Sequence, residues 1–192
     1  MLLVYMEFKD LHSERIDLVR ISKSGLSDMH EYSVKPKFYE FLEFEPFNTI
    51  EETEKYLEKL IKRSNSENGF YWFINNKLEK KTIGTFGLLN IDTRTSITEI
   101  GYGISPDYWG KGYFKEALTM VLSFLFEELE FHKVWARTSS NNISSIRALG
   151  KVGFKNEGVM RDWYLSSKGI RYDATILSIL KSEYLLTTVN SN

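Results

Sequence analysis

Apolar and polar residues alternate over RIDLVRI, residues 15–21, which predicts a first strand. Residues 24–33 then read as a short helix. The segment 35–48 holds Pro36, Pro46 and five aromatics and predicts an irregular aromatic loop. Thr49, with Glu52 three residues later, makes a capping box, and Ile50, Tyr56, Leu57, Leu60 and Ile61 give the following helix one apolar face. GFYWFIN, TIGTFGLLNI and ITEIGYGI predict three strands joined by polar turns, in an antiparallel meander. From Gly112 the spacing of Phe114, Ala117, Leu118, Val121, Leu122, Leu125 and Leu129 predicts a long helix. HKVWART is a strand, and Asn142 or Asn141 caps a short helix that runs through Val152 and stops at Gly153. FKNEGVMRDWYL and RYDATILSIL close the chain as strands around a Lys168-Gly169 turn. The order predicts a mixed α/β (α+β) domain with a largely antiparallel sheet, spanning residues 1–192 with its core over about 14–184.

Composition removes several functions. With 192 residues the chain can bury one core unaided. A formal charge of -1 gives no counterion-release drive toward nucleic acid and no polybasic membrane anchor. No apolar run reaches the length of about 18 residues that would span a bilayer. The opening MLLVYMEF is too short for a signal peptide, so a cytoplasmic location is expected. There is no cysteine, hence no disulfide, thiolate metal site or cysteine nucleophile. The histidines, His12, His30 and His132, are far apart in sequence, and no metal is expected.

The chemistry concentrates in residues 97–118, ITEIGYGISPDYWGKGYFKEAL. A strand ends near Pro106 and a glycine-bearing turn leads straight into a helix. A helix start presents unpaired N–H groups and a positive dipole end. Gly110 and Gly112 keep the backbone bare for close approach of a phosphate, and Lys111 adds a cation. A P-loop does not fit, because Lys111 is followed by Gly112 rather than Ser or Thr and the first glycine is misplaced. A dinucleotide fingerprint starting at Gly110 would need glycine at Lys115, in an element order that is not βαβ.

EIGYGISPDYWGKGYFKEAL does resemble the motif of the RimJ/RimL-type branch of GNAT acetyltransferases. NNISSIRALGKVGFKNEG, residues 141–158, is similar to that branch's N-x-x-S-x-R-x-x-x-K-x-G-F-x-x-E-G, and GIRYDATILSIL to its terminal G-x-x-x-D strand. The three matches come in the family's order across nearly the whole chain. Two positions depart from it: Phe114 stands where Ala or Gly is usual, and Gly150 where glutamate is common.

The resemblance implies a twisted sheet flanked by helices and splayed where acetyl-CoA binds, the acetyl donor being a co-substrate. Gly101, Tyr102, Gly103 and Ile104 would hold the pantetheine arm, and an N–H near Gly103 or Ile104 would polarise the thioester carbonyl. Trp109, Gly110, Lys111, Gly112, Tyr113 and Phe114 would form the pyrophosphate seat, with the Trp109 ring as a core anchor. Asn142 would bond the pantetheine amide, cap its helix, or both. Ser145 would return a proton to the leaving thiolate; its alternative is a solvent-facing helix serine. Glu99 is the leading base, against a plain strand residue, and Glu43, Glu45 and Asp162 are further carboxylates.

The acceptor is expected between the aromatic loop and the last strands, with Glu43, Phe44, Trp72, Tyr102 and Trp163 as its wall. The branch implies transfer to a primary amine by direct attack in a ternary complex. A protein N-terminal α-amine is the first expectation. A polyamine, amino sugar or antibiotic is the alternative, as is a non-catalytic acyl-CoA sensor on the same fold. A homodimer is a further expectation from the resemblance.

Overall fold

A computed structural model describes residues 8–66, 68–166 and 168–189. Its strands are β1 (Leu11–His12), β2 (Ile16–Arg20), β3 (Gly69–Asn76), β4 (Lys81–Asp92), β5 (Ile97–Ile104), β6 (Lys133–Ser139), β7 (Lys155–Leu165) and β8 (Arg171–Leu180). Its α-helices are α1 (Leu26–Ser33), α2 (Ile50–Ser64), α3 (Tyr113–Ser123), α4 (Ile143–Gly150) and α5 (Lys181–Val189). The strands form one sheet in the order β1-β2-β3-β4-β5-β6-β8-β7. Every neighbouring pair is antiparallel except β5 and β6. The meander β3-β4-β5 follows from short polar turns, whereas β5 and β6 run parallel because α3 carries the chain back between them.

Helices cover both faces. One core gathers Ile16, Leu18, Ile100, Leu118, Val121 and Val134 beneath α3. The other joins Met29, Tyr32, Leu57 and Leu60 of α1 and α2 to Tyr71 and Phe73 of β3. This double cover explains why GFYWFI is continuously apolar rather than alternating. Each fully buried Leu, Ile or Phe stabilises the fold by about 1.5–3 kcal/mol. Trp72 lies on the α3 face and is fully buried; its indole N–H donates to the Lys9 carbonyl at 2.8 Å and its rings pack on Phe70. Placing it in the acceptor wall is therefore corrected: alternation along β3 turns it into the core.

The capping box of α2 forms with one change. The Thr49 hydroxyl accepts the Glu52 N–H at 3.4 Å, and the Glu52 carboxylate takes the N–H of Asn48 at 2.7 Å, a residue earlier than expected. Ile50, assigned to the apolar face, is exposed. The long helix from Gly112 loses its 3.6-residue period at Phe124, where a π-helical turn runs to Glu128 and the Leu129 N–H donates to the Phe124 carbonyl. Widening the turn buries Phe124, Leu125 and Phe126 together, which a regular helix would not do. The two-residue strand β1 and the terminal helix α5 lie outside the expected order. α5 is tied down by Tyr184, whose hydroxyl donates to Glu127, and by a Lys155–Glu183 ion pair at 2.6 Å. Among the described residues no helix is long and apolar enough to cross a membrane.

Candidate active site

The sheet opens in the middle. β5 and β6 pair only from Ile97–Lys133 to Ile100–Ala136. Beyond that point β5 continues to Ile104 on β4, and β6 continues to Ser139 on β8. A gap therefore separates Gly101–Ile104 from Arg137–Ser139, which is the splay expected above. The Ser105 N–H donates to Ile83 on β4 at 2.8 Å. Strand alternation then turns the Gly103 and Gly101 N–H groups toward β4, and those of Tyr102 and Ile104 into the gap. Of the two amides considered for the thioester carbonyl, Ile104 faces the opening. Trp109 also closes on this edge: its indole N–H donates to the Ile104 carbonyl at 2.7 Å. The residue is 41% exposed, so it is a surface pin and not the core anchor expected.

The turn into α3 has the shape its glycines promised. Gly110 and Gly112 sit at φ +75° and +85°, in the left-handed region that L side chains avoid. A Cβ at Gly110 would meet nothing within 4 Å, so the space beside it is open. Gly112 caps α3 without a side chain, and the first intrahelical bond is Glu116 N–H to the Gly112 carbonyl. The amides of Tyr113, Phe114 and Lys115 precede it and are available to an anion. Arg15, read from sequence only as the start of the first strand, fixes this loop from outside. Its guanidinium donates to the Lys111 carbonyl at 3.0 Å, bonds the Glu116 carboxylate at 2.7 Å and lies 4.7 Å from the Tyr113 ring. The Ser13 hydroxyl completes the clamp on Glu116 at 2.7 Å. Holding the Lys111 carbonyl outward leaves the amides on the opposite side.

α4 borders the other wall. Asn142 caps it, its Oδ1 accepting the Ser145 N–H at 3.0 Å. The Ser145 hydroxyl is not facing solvent; it meets the Tyr102 hydroxyl at 2.6 Å, across the gap. Burial pushes the Tyr102 phenol up to about 12, against a smaller opposite effect of the Ser145 bond. The Tyr102 ring lies on Phe114, centroids 4.1 Å apart, on the α3 face. Tyr102 thus packs on the α3 side of the sheet, away from Glu99 and Trp163, where the acceptor wall was expected. The large side chain at Phe114 fills the space above it.

The side on which the acceptor was expected is assembled from distant segments. Glu99 is 3% exposed and held between Asn90, which donates to it at 2.7 Å, and Arg137, 3.2 Å away. A bulge in β4 after Leu89, with Asn90 at φ +48°, aims the amide at it. Burial raises the Glu99 pKa, and Arg137 and Asn90 only partly oppose that. Arg137 lies 4.8 Å from the Trp163 ring and 5.9 Å from that of Trp135. Burial raises the Tyr164 pKa, and the neighbouring Arg137 charge opposes it. The aromatic loop forms the roof. Phe38 sits where a Cβ on Gly103 would come within 2.7 Å of its ring, and Phe44 packs on Tyr39 and Tyr56 while staying 44% exposed.

Of the residues singled out from sequence, Glu99 and Trp163 meet through Arg137, Tyr102 meets Phe114 and Ser145, Asn142 caps α4, and Gly110 to Phe114 make the turn into α3. Sequence reasoning missed the parts played by Arg15, Asn90 and Arg137. A lone basic or amide residue on or beside a strand carries no local signal; strand register brings Asn90 and Arg137 to Glu99, and helix packing brings Glu116 to Arg15. Among the described residues no group of three or more His, Asp or Glu side chains could hold a metal ion.

Comparison with known proteins agrees with this geometry. The family described as Acetyltransferase (GNAT) domain matches residues 15–155. The N-acetyltransferase p20 of Bacillus licheniformis, itself uncharacterized, is 28% identical over 174 residues, 91% of this chain and 97% of that protein. The fold superimposes on a GCN5-related N-acetyltransferase from Brucella melitensis with a TM-score of 0.84, at 23% identity over 93% of this chain and 81% of that one. It also matches a Vibrio cholerae spermidine N-acetyltransferase in complex with CoA and spermine, with a TM-score of 0.76, at 21% identity over 90% of this chain and 99% of that one. A family match across the splayed strands, the glycine loop and α4 leaves one conclusion: this chain belongs to the GNAT acetyltransferase family.

Proposed function

We propose that the chain transfers acetyl from acetyl-CoA to a single, non-polycationic primary amine, with a protein N-terminal α-amine as the acceptor class. The carrying observation is the join of two features: a β5 edge freed at Tyr102 and Ile104, and a bare glycine turn at the start of α3. The residues fit the donor. Open space beside Gly110 and the uncapped amides of α3 suit a diphosphate, while the free strand edge suits an extended amide-bearing arm. When bound, acetyl-CoA supplies the activated acyl group.

The chain's own groups do the rest. The Ile104 N–H is directed at the position of the thioester carbonyl, where it stabilises developing negative charge. Glu99 accepts the amine's proton, directly or through water, and its raised pKa brings a carboxylate nearer the working range of a base. Ser145, bonded to the Tyr102 hydroxyl, delivers a proton to the departing thiolate. With no cysteine available the amine attacks directly, and holding both reactants together supplies much of the rate.

Against a polyamine stands the charge balance of this wall, where the Glu99 carboxylate already faces the Arg137 guanidinium and is not left to balance a second ammonium. An assay of free CoA thiol tests this cleanly, since the protein has no thiol background. Turnover with N-terminal peptides above that with spermidine is the expected result. Turnover confined to polyamines would overturn the acceptor assignment, and no release with any amine would overturn the enzyme.

A further inference from the structure

The aspartate of the terminal motif, Asp173, has no part in the chemistry above, yet its surroundings are specific. β7 and β8 pair at Met160–Ala174 and again at Tyr164–Tyr172, so three residues of β7, Arg161 to Trp163, stand opposite Asp173 alone. At the centre of this bulge Asp162 has φ +53°, a conformation a non-glycine residue holds only when its neighbours compensate. Side chains of β8 supply that compensation on both sides. The Asp173 carboxylate accepts the Asp162 N–H at 3.0 Å, and the Arg171 guanidinium donates to the Asp162 carbonyl at 3.1 Å. The residue after Asp162 is Trp163, whose ring lies 4.8 Å from Arg137, the partner of Glu99. The Asp173 backbone carbonyl meanwhile takes the Ser140 N–H at 2.9 Å, two residues before the α4 cap Asn142.

We infer that Asp173 is a positioning residue for acceptor recognition: its carboxylate locks the β7 bulge that holds Trp163 on Arg137. Without that bond the bulge can relax to regular pairing; since it holds two residues more than the facing stretch of β8, Trp163 would keep its face but move two positions, about 7 Å, along the strand. Trp163 then leaves Arg137, and the acceptor wall loses its aromatic side. The acetyl-CoA side is unaffected, because the bond to Ser140 uses the backbone of residue 173 and survives any substitution there. This inference rests on the acetyltransferase reading for its kinetic readout, and a spectroscopic readout stands apart from it.

The test compares Asp173→Ala, Asp173→Asn, Trp163→Leu and the Asp173→Ala/Trp163→Leu double variant. Asp173→Ala should raise the acceptor KM about tenfold, the size of one partly desolvated cation–π contact, with acetyl-CoA affinity and kcat within about twofold. Asp173→Asn, whose side-chain oxygen still accepts, should restore most of the loss. The double variant should be no worse than Trp163→Leu, because both act through one ring. The Trp163 indole N–H resonance, assigned by its loss in Trp163→Leu, should move in Asp173→Ala and not in Asp173→Asn. Multiplying effects in the double variant, equal losses in kcat and acetyl-CoA binding, or an unmoved resonance would each overturn the inference. If the wild type proves inactive while the resonance still moves, the acetyltransferase reading fails and the positioning role stands.

Discussion

The two walls of the gap between β5 and β6 are built from different materials. The wall of β5 and α3 works through backbone: free strand amides, two left-handed glycines and an uncapped helix start. The facing wall works through side chains that converge from β4, β5, β6 and β7, with Asn90, Glu99, Arg137 and Trp163 at its centre. A backbone wall suits a donor that never changes. A side-chain wall can be altered one residue at a time, which suits a family in which acceptors differ. Substitutions on the first should therefore be read in donor affinity, and those on the second in turnover or acceptor KM.

The largest expected effect lies on the side-chain wall. Glu99→Gln should lower kcat by roughly two to three orders of magnitude, the usual worth of a general base, while calorimetry shows acetyl-CoA binding unchanged. An unchanged kcat would remove Glu99 from the chemistry. The same carboxyl sets a pH dependence. Its pKa is raised and only its ionised form accepts a proton, so kcat should climb with pH through a value above that of an ordinary glutamate. Arg137→Gln removes an influence that lowers this pKa and should move the acid limb to higher pH.

On the backbone wall, Gly112→Val forces a β-branched residue to φ +85° and brings its Cβ to 3.3 Å from the Arg15 guanidinium. The conformation alone costs about 1–2 kcal/mol, so acetyl-CoA affinity should fall about tenfold or more, read by calorimetry, with the acceptor KM unaltered. Arg15→Ala, which frees the Lys111 carbonyl, should weaken acetyl-CoA by about five- to tenfold, near the worth of one ordinary intramolecular hydrogen bond. If it raised the acceptor KM instead, the division between the walls would be wrong. The smallest effect is a control outside both. A Cβ at Gly150 meets nothing within 4 Å, so Gly150→Ala should stabilise the fold by about 0.5–1 kcal/mol, seen as a higher Tm, without touching either constant.

The same contrast explains what could be read from sequence. Backbone chemistry needs glycine, and glycine followed by a helical period is visible in one short stretch, so the glycine turn into α3 and the caps at Thr49 and Asn142 were legible. The β5–β6 opening came with the family resemblance and not from any residue type. Arg137 and Asn90 matter only because register sets them beside Glu99, an arrangement made by residues far apart in the chain. Trp72 was misplaced because β3 is buried on both faces, which erases the alternation that would have told its side. The helix from Gly112 kept its apolar spacing past Phe124 although its backbone did not, since side-chain pattern does not report a widened turn. Helix α5 escaped because its anchors, Tyr184 on Glu127 and Glu183 on Lys155, are tertiary.

The brevity of the β5–β6 ladder has a mechanical side. Only four register pairs, Ile97–Lys133 to Ile100–Ala136, connect the strands that lie on either side of the opening. A ligand that bonds the exposed edge of β5 and touches α4 at once would act as a missing rung, fastening two partly independent halves. Hydrogen exchange at Tyr102 and Ile104 should then slow on addition of CoA, and melting should sharpen as the halves come to unfold together.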